Sequence, residues 1–142
     1  MQTISLLGPV LAQILLTIAV YILLGRRKSA AVKAGQVNRE LAALDNSAWP
    51  QSVVKVSNNL ANQFEAPVLF YTLCLVLMAL EQGNGMAVPL AWLFVLSRCA
   101  HAWVHIGSNH VPYRFRLFAF GLLLLLAMTL LALWQWVQMT VN

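Results

Sequence analysis

Two sets of polar residues, spaced to share helix faces, stand inside or beside otherwise apolar stretches of this chain. Asn58, Asn62 and Glu65 follow i, i+4, i+7, and Arg98, His101 and His105 follow i, i+3, i+7. Each spacing puts its residues on one side of an α-helix. Ionisable groups in such surroundings are costly and mark a functional cavity or a helix–helix contact. The residue types define the chemistry on offer. Arginine presents a planar, permanently charged fork to carboxylates. Asparagine donates and accepts, and histidine exchanges protons near neutral pH. Glu65 can pair with Arg98 or accept a bond from a ligand ammonium group. The purely structural alternative is a buried Glu65–Arg98 pair with interhelical amide bonds beside it. Joining two helices does not require so many cationic side chains on one side.

Other polar residues support less. His101 and His105, at i and i+4 with His110 nearby, have the spacing of metal ligands. Arg98 repels a cation there and no carboxylate or thiolate adjoins them, so no metal is expected. Cys74 and Cys99 show no redox or metal spacing and read as small buried hydrophobes. Gln13, Thr17 and Tyr21 form a weaker stripe that is expected to face the bundle.

The elements that must position these residues are membrane spans. Of the 142 residues, 61% are hydrophobic and 9% charged, whereas a soluble domain is typically about a quarter charged. The mean hydropathy of +0.74 agrees. The expected fold is an all-α integral membrane protein, one domain over 1–142, built as a four-transmembrane-helix bundle. Spans are expected at 4–24, 59–80, 86–106 and 117–137, with a long loop at 25–57. The first span is not read as a signal peptide, because Arg26, Arg27 and Lys28 follow its apolar run rather than precede it. Glu81 to Gly85 reads as a tight turn and Pro112 as the entry to the last helix. Asn38 to Leu44 reads as a short helix, and Trp49-Pro50 as the start of helix two.

The net charge of +5 and pI near 9.8 do not indicate nucleic acid. The loop at 25–57 holds Arg26, Arg27, Lys28, Lys33, Arg39 and Lys55 against Glu40 and Asp45, and the loop before the last span adds Arg114 and Arg116. Cations gathered beside apolar segments are a topology signal. The positive-inside rule predicts cytoplasmic basic loops and both termini outside. Glu65 and Arg98 then approach the same side, and one cation-rich cavity, rimmed by Arg26, Arg27 and Arg114, is expected.

Asn62-x-x-Glu65, Arg98-x-x-His101-x-x-x-His105, Arg114 nine residues on, and Arg26 closing the first span form an ordered set. In these motifs the chain resembles a bacterial-type member of the MAPEG superfamily, membrane-associated proteins of eicosanoid and glutathione metabolism. The resemblance covers nearly the whole chain. It implies a homotrimer in a bacterial inner membrane, with glutathione as co-substrate bound in a bent shape between subunits. By that carry-over, Arg26, Asn62, Glu65, Arg98, His101 and Arg114 hold the tripeptide, with His105 standing where the family usually has a tyrosine. Arg114 matches the arginine assigned to stabilising the glutathione thiolate. Asn58 and Ala61 stand where enzymes of the family often carry arginines that grip carboxylates. Phe115 is apolar where some relatives carry a hydroxyl.

Three functions compete. One is a glutathione-dependent transferase or peroxidase acting on lipophilic electrophiles, with membrane lipids and a lipophilic small molecule as partners. A second is a non-catalytic lipid-binding or accessory membrane module, favoured by the missing arginines. The third is a proton or ion pathway through Glu65, Arg98 and His101, for which broken-helix and inverted-repeat signals are missing.

Overall fold

The computed structural model describes residues 6–80 and 85–141. Its elements are α1 (Leu7–Lys33), α2 (Arg39–Ala42), α3 (Gln51–Asn62), α4 (Ala66–Ala79), α5 (Ala87–Ile106) and α6 (Val111–Val141). Four stretches are long and apolar enough to cross a bilayer: α1, α3 with α4, α5, and α6. The expected turn at Glu81 to Gly85 lies outside the described residues except for Gly85, whose φ of +61° suits glycine.

The helices are longer than the apolar runs. α1 rises about 40 Å over its 27 residues, more than the roughly 30 Å hydrocarbon core. Its last two turns, with Arg26, Arg27, Lys28 and Lys33, therefore extend past the apolar zone. The expected loop at 25–57 shrinks to the residues between α1 and α3. Inside it, the side-chain oxygen of Asn38 accepts from the backbone N–H groups of Glu40 and Leu41 and caps α2. The hydroxyl and backbone N–H of Ser47 donate to the Asp45 carboxylate and hold its pKa below the usual range.

Helix two is not continuous. α3 ends at Asn62, and Glu65, with φ −101° and ψ −102°, is not helical. Pro67 is the cause. It has no N–H for the carbonyl of Gln63, and its ring would clash with that carbonyl in a continuous helix. Gln63 and Phe64 instead close α3 by tighter bonds to Leu60 and Ala61, both 3.0 Å. The stripe of Asn58, Asn62 and Glu65 thus does not ride one helix: Glu65 sits in the break, and a broken helix, not expected from the sequence, is present.

The core lies between α4, α5 and α6. Phe70 stacks on Phe94 with ring centroids 4.6 Å apart, and Leu77 and Met128 are buried beside them. α5 and α6 share the most extensive packing, and Gly121 lies within it. A Cβ there would meet Ser97 Oγ at 3.4 Å. Cys74 is buried as expected; Cys99 is not, because its face of α5 opens onto a groove beside α1.

A second, polar contact ties α1 to the break. Gln13 Nε2 donates to Gln63 Oε1 at 3.0 Å, and Gln63 Nε2 donates to Asn59 Oδ1 at 3.3 Å, all three side chains being buried. Gln13 therefore faces the bundle, while Tyr21 of the same stripe is exposed. Replacing Gln63 with leucine strands Gln13 Nε2 and Asn59 Oδ1 in an apolar setting. The expected loss is about 1–2 kcal/mol, read as a lower thermal midpoint in detergent. A Gln13→Leu/Gln63→Leu double variant should recover part of it. A single variant as stable as the parent would refute the ladder.

Candidate functional site

The helix break makes the site. A continuous helix would have used the carbonyl of Asn62 internally; the break frees it, and Arg98 Nη2 donates to it at 3.2 Å. Arg98 is only 1% exposed, and its Nε and Nη1 have no partner. The Glu65–Arg98 pair considered from the sequence is not formed. Helix two turns at residues 63–65 and carries the Glu65 carboxylate to an exposed position, leaving the backbone of Asn62 to meet the guanidinium.

One turn further along α5, His101 and His105 pack edge to face with centroids 5.6 Å apart. Their spacing puts both under α6, and both are buried. The His105 Nε2 lies 3.5 Å from Asn62 Nδ2, which also donates to the Asn58 carbonyl at 2.9 Å. The Nδ1 atoms of both histidines are buried without a partner, as is Arg114 Nε.

Arg114 comes from the first turn of α6. Its Nη1 donates to Asn109 Oδ1 at 2.7 Å. Asn109 adopts a φ of +55°, a conformation that asparagine accepts more readily than most residues. Lys55 of α3 donates to the Gly107 carbonyl at 3.1 Å. The α5–α6 turn is thus held from both flanks, which fixes the direction of Arg114.

The single cavity expected from the sequence is two adjoining ones that share Arg114. The larger, about 410 Å³, is lined by Lys55, Asn58, His105 and Arg114 with Trp49 beside them. The smaller, about 260 Å³, is lined by Asn62, Glu65, His101 and Arg114 and opens among Val111, Phe115 and Phe118. The first is cationic and polar; the second mixes polar groups with an apolar rim. Arg98 lies behind them against Asn62. Arg26 is exposed and contributes to neither cavity, whereas its neighbour Arg27 turns inward and donates to the Ser52 carbonyl at 2.7 Å.

Sequence reasoning missed Asn59 and Gln63, which hold the break in place; Lys55, spaced to share the helix face of Asn58 and Asn62, forms a wall of the larger cavity. The first two had a readable signal: amides at i and i+4, the second four residues before a proline in a span.

The chemistry of the wall is specific. Nitrogens of His101, His105 and Arg114, which line the cavities, and two of Arg98 just behind them are buried with no protein partner. Buried polar groups in proteins are nearly always satisfied, so this wall fits a ligand rich in carboxylate and carbonyl oxygens. A tripeptide thiol of that description fits the residues present.

No curated protein and no solved structure matches the chain significantly. The MAPEG family model matches residues 6–134, nearly the whole described chain, and with four membrane-crossing helices and no strand among the described residues the protein belongs to the MAPEG family of integral membrane helical bundles.

Proposed function

We propose that this protein is a glutathione-dependent transferase or peroxidase acting on lipophilic electrophiles, with Arg114 as the residue that stabilises the thiolate. The observation that carries the reading is the position of Arg114 in the wall between a cationic cavity and a cavity with an apolar rim. Family membership supports glutathione as the co-substrate.

The chain's residues then divide the work. Arg98, His101, His105 and Asn62 offer donors to carboxylate and peptide oxygens, and Glu65 accepts from the ligand ammonium. Arg26 points away from the cluster of its own chain, which suits a homotrimer in which it serves a neighbour's site. Arg114 holds negative charge on sulfur, since a thiol of ordinary pKa near 8.5 is lowered beside a guanidinium. Phe115, Phe118 and Val111 bring an apolar substrate to that charge and exclude water. Bound glutathione supplies the nucleophile: sulfur forms a bond to the electrophilic centre as the electron pair of the broken bond leaves with the departing group. Basic loops in the cytoplasm, where glutathione is made, complete the reading.

A second reading rests on α3. Asn58 and Ala61 are exposed and bring no guanidinium, which favours a non-catalytic lipid-binding module of the same fold. Calorimetric titration of glutathione into the purified protein separates the two. Heat of binding together with ultraviolet thiolate absorbance is expected. No heat at millimolar glutathione would overturn the first reading and favour the second.

A further inference from the structure

A cavity of about 570 Å³ runs between α1 and α5 on a face that the candidate site does not use. It is bounded by Leu16, Val20 and Leu23 on α1 and by Cys99, Trp103 and Ile106 on α5. It is open because Ala19 and Ala102 leave no side chain to fill it. From Leu16 to Arg27 the groove climbs about 16 Å, close to the roughly 15 Å depth of one bilayer leaflet. α1 and α5 run in the same direction, so its upper end on both helices lies beside the basic loops.

At that end the lining changes. Arg27 and Ile106 also border a second cavity of about 650 Å³, which holds Lys55, Ser52 and Gln51 and no carboxylate. The small residues Ala30, Ala31 and Ala34 on α1 keep it open. An apolar slot one leaflet deep therefore leads directly into a polar basin with two cations. Trp103, 83% exposed, forms the outer wall of the slot beneath the level where the charges begin, as aromatic residues at a bilayer interface do.

We propose that this groove is a binding site for an anionic glycerophospholipid of the surrounding leaflet, one acyl chain lying between α1 and α5 and the phosphate held by Arg27 and Lys55. The charge pattern selects the lipid. A zwitterionic headgroup brings its own cation into a basin that already has two and offers it no anionic partner. A helix of a second copy fits less well. A cylinder about 10 Å wide and as long as the slot occupies roughly 1,300 Å³, more than the 1040 Å³ or so of atom-free space in and around the slot.

Cys99 provides the readout, since it lines the slot and is exposed while Cys74 is buried. The full chain is reconstituted, without glutathione, in phosphatidylcholine vesicles containing an increasing fraction of phosphatidylglycerol. The rate of Cys99 labelling by an apolar maleimide is followed, with Cys99→Ser as blank. Phosphatidylglycerol is expected to slow labelling in a saturable way. Arg27→Gln should weaken that effect about fivefold, the contribution of one cation near a membrane surface. Ala19→Phe, on an exposed position that fills the slot, should remove it. Equal labelling at every lipid composition would overturn the proposal. So would slowing that follows the protein-to-lipid ratio rather than the anionic fraction, which would assign the groove to a second copy. The two sites share Lys55, which these variants leave in place, so glutathione titration tests the other site separately.

Discussion

Replacing Arg114 with alanine should remove the thiolate absorbance of bound glutathione and lower kcat/KM for a lipophilic electrophile by about 10²–10³, the usual cost of losing one preorganised group that stabilises developing or resident negative charge. The effect is large because the guanidinium is held in place before the sulfur arrives. Its Nε is buried without a partner, and its Nη1 is fixed by Asn109. That second bond creates an ambiguity which a further variant resolves. Arg114→Ala also loosens the α5–α6 turn, whereas Asn109→Ala loosens the turn and keeps the charge. If Arg114 acts on sulfur, Asn109→Ala retains the thiolate signal and loses only a modest part of the rate. Arg114→Lys should retain part of the absorbance, because a compact ammonium supplies charge without the fork. An alanine variant with an unchanged ultraviolet difference spectrum would remove Arg114 from the chemistry.

Arg98→Met should separate binding from stability in the opposite direction to ordinary core mutations. The guanidinium is buried with one bond, to the Asn62 carbonyl, and two nitrogens unpaired. A buried charge so poorly compensated costs several kcal/mol. An apolar side chain of similar length removes that cost and leaves one carbonyl short of a partner. The ligand-free variant is therefore expected to be as stable as the parent or more stable, by about 1–2 kcal/mol, with a raised thermal midpoint. Stabilisation by added glutathione should disappear in the same experiment. Were the midpoint to drop as far as in Gln63→Leu, Arg98 would be a clamp on the helix break rather than a ligand donor. The Gln63 variant thus calibrates the comparison.

Both predictions depend on a local irregularity that composition hides. Pro67 interrupts helix two at membrane depth, where an unsatisfied carbonyl is expensive. The break also frees the carbonyl of Asn62, and the chain satisfies that one with the Arg98 side chain. Such breaks are tolerated where they line a cavity, and here the broken turn forms the floor of the smaller one, between Asn62 and Glu65. Glu65 gains its exposed place because it belongs to no helix.

Much of this protein follows from its sequence alone, and the reason is that each such property is local. The four crossings depend on run length and composition measured against a bilayer of known thickness. The cations gather around the same two connections between spans, mostly on helix ends, whatever the packing. Asn62, Arg98, His101 and His105 share a site because helical spacing and antiparallel neighbours leave them little alternative. What tertiary structure alone decided depends on rotation about helix axes and on where one helix stops. It sent Arg98 to a carbonyl instead of to Glu65, and turned Arg27 inward while Arg26 faces out. It joined Gln13 to Gln63 across fifty positions of sequence and divided one expected cavity into two that meet at Arg114. A shift of one residue in the break would reverse several of these contacts without changing hydropathy at all, because hydropathy records how apolar a stretch is and not which way its few polar atoms point.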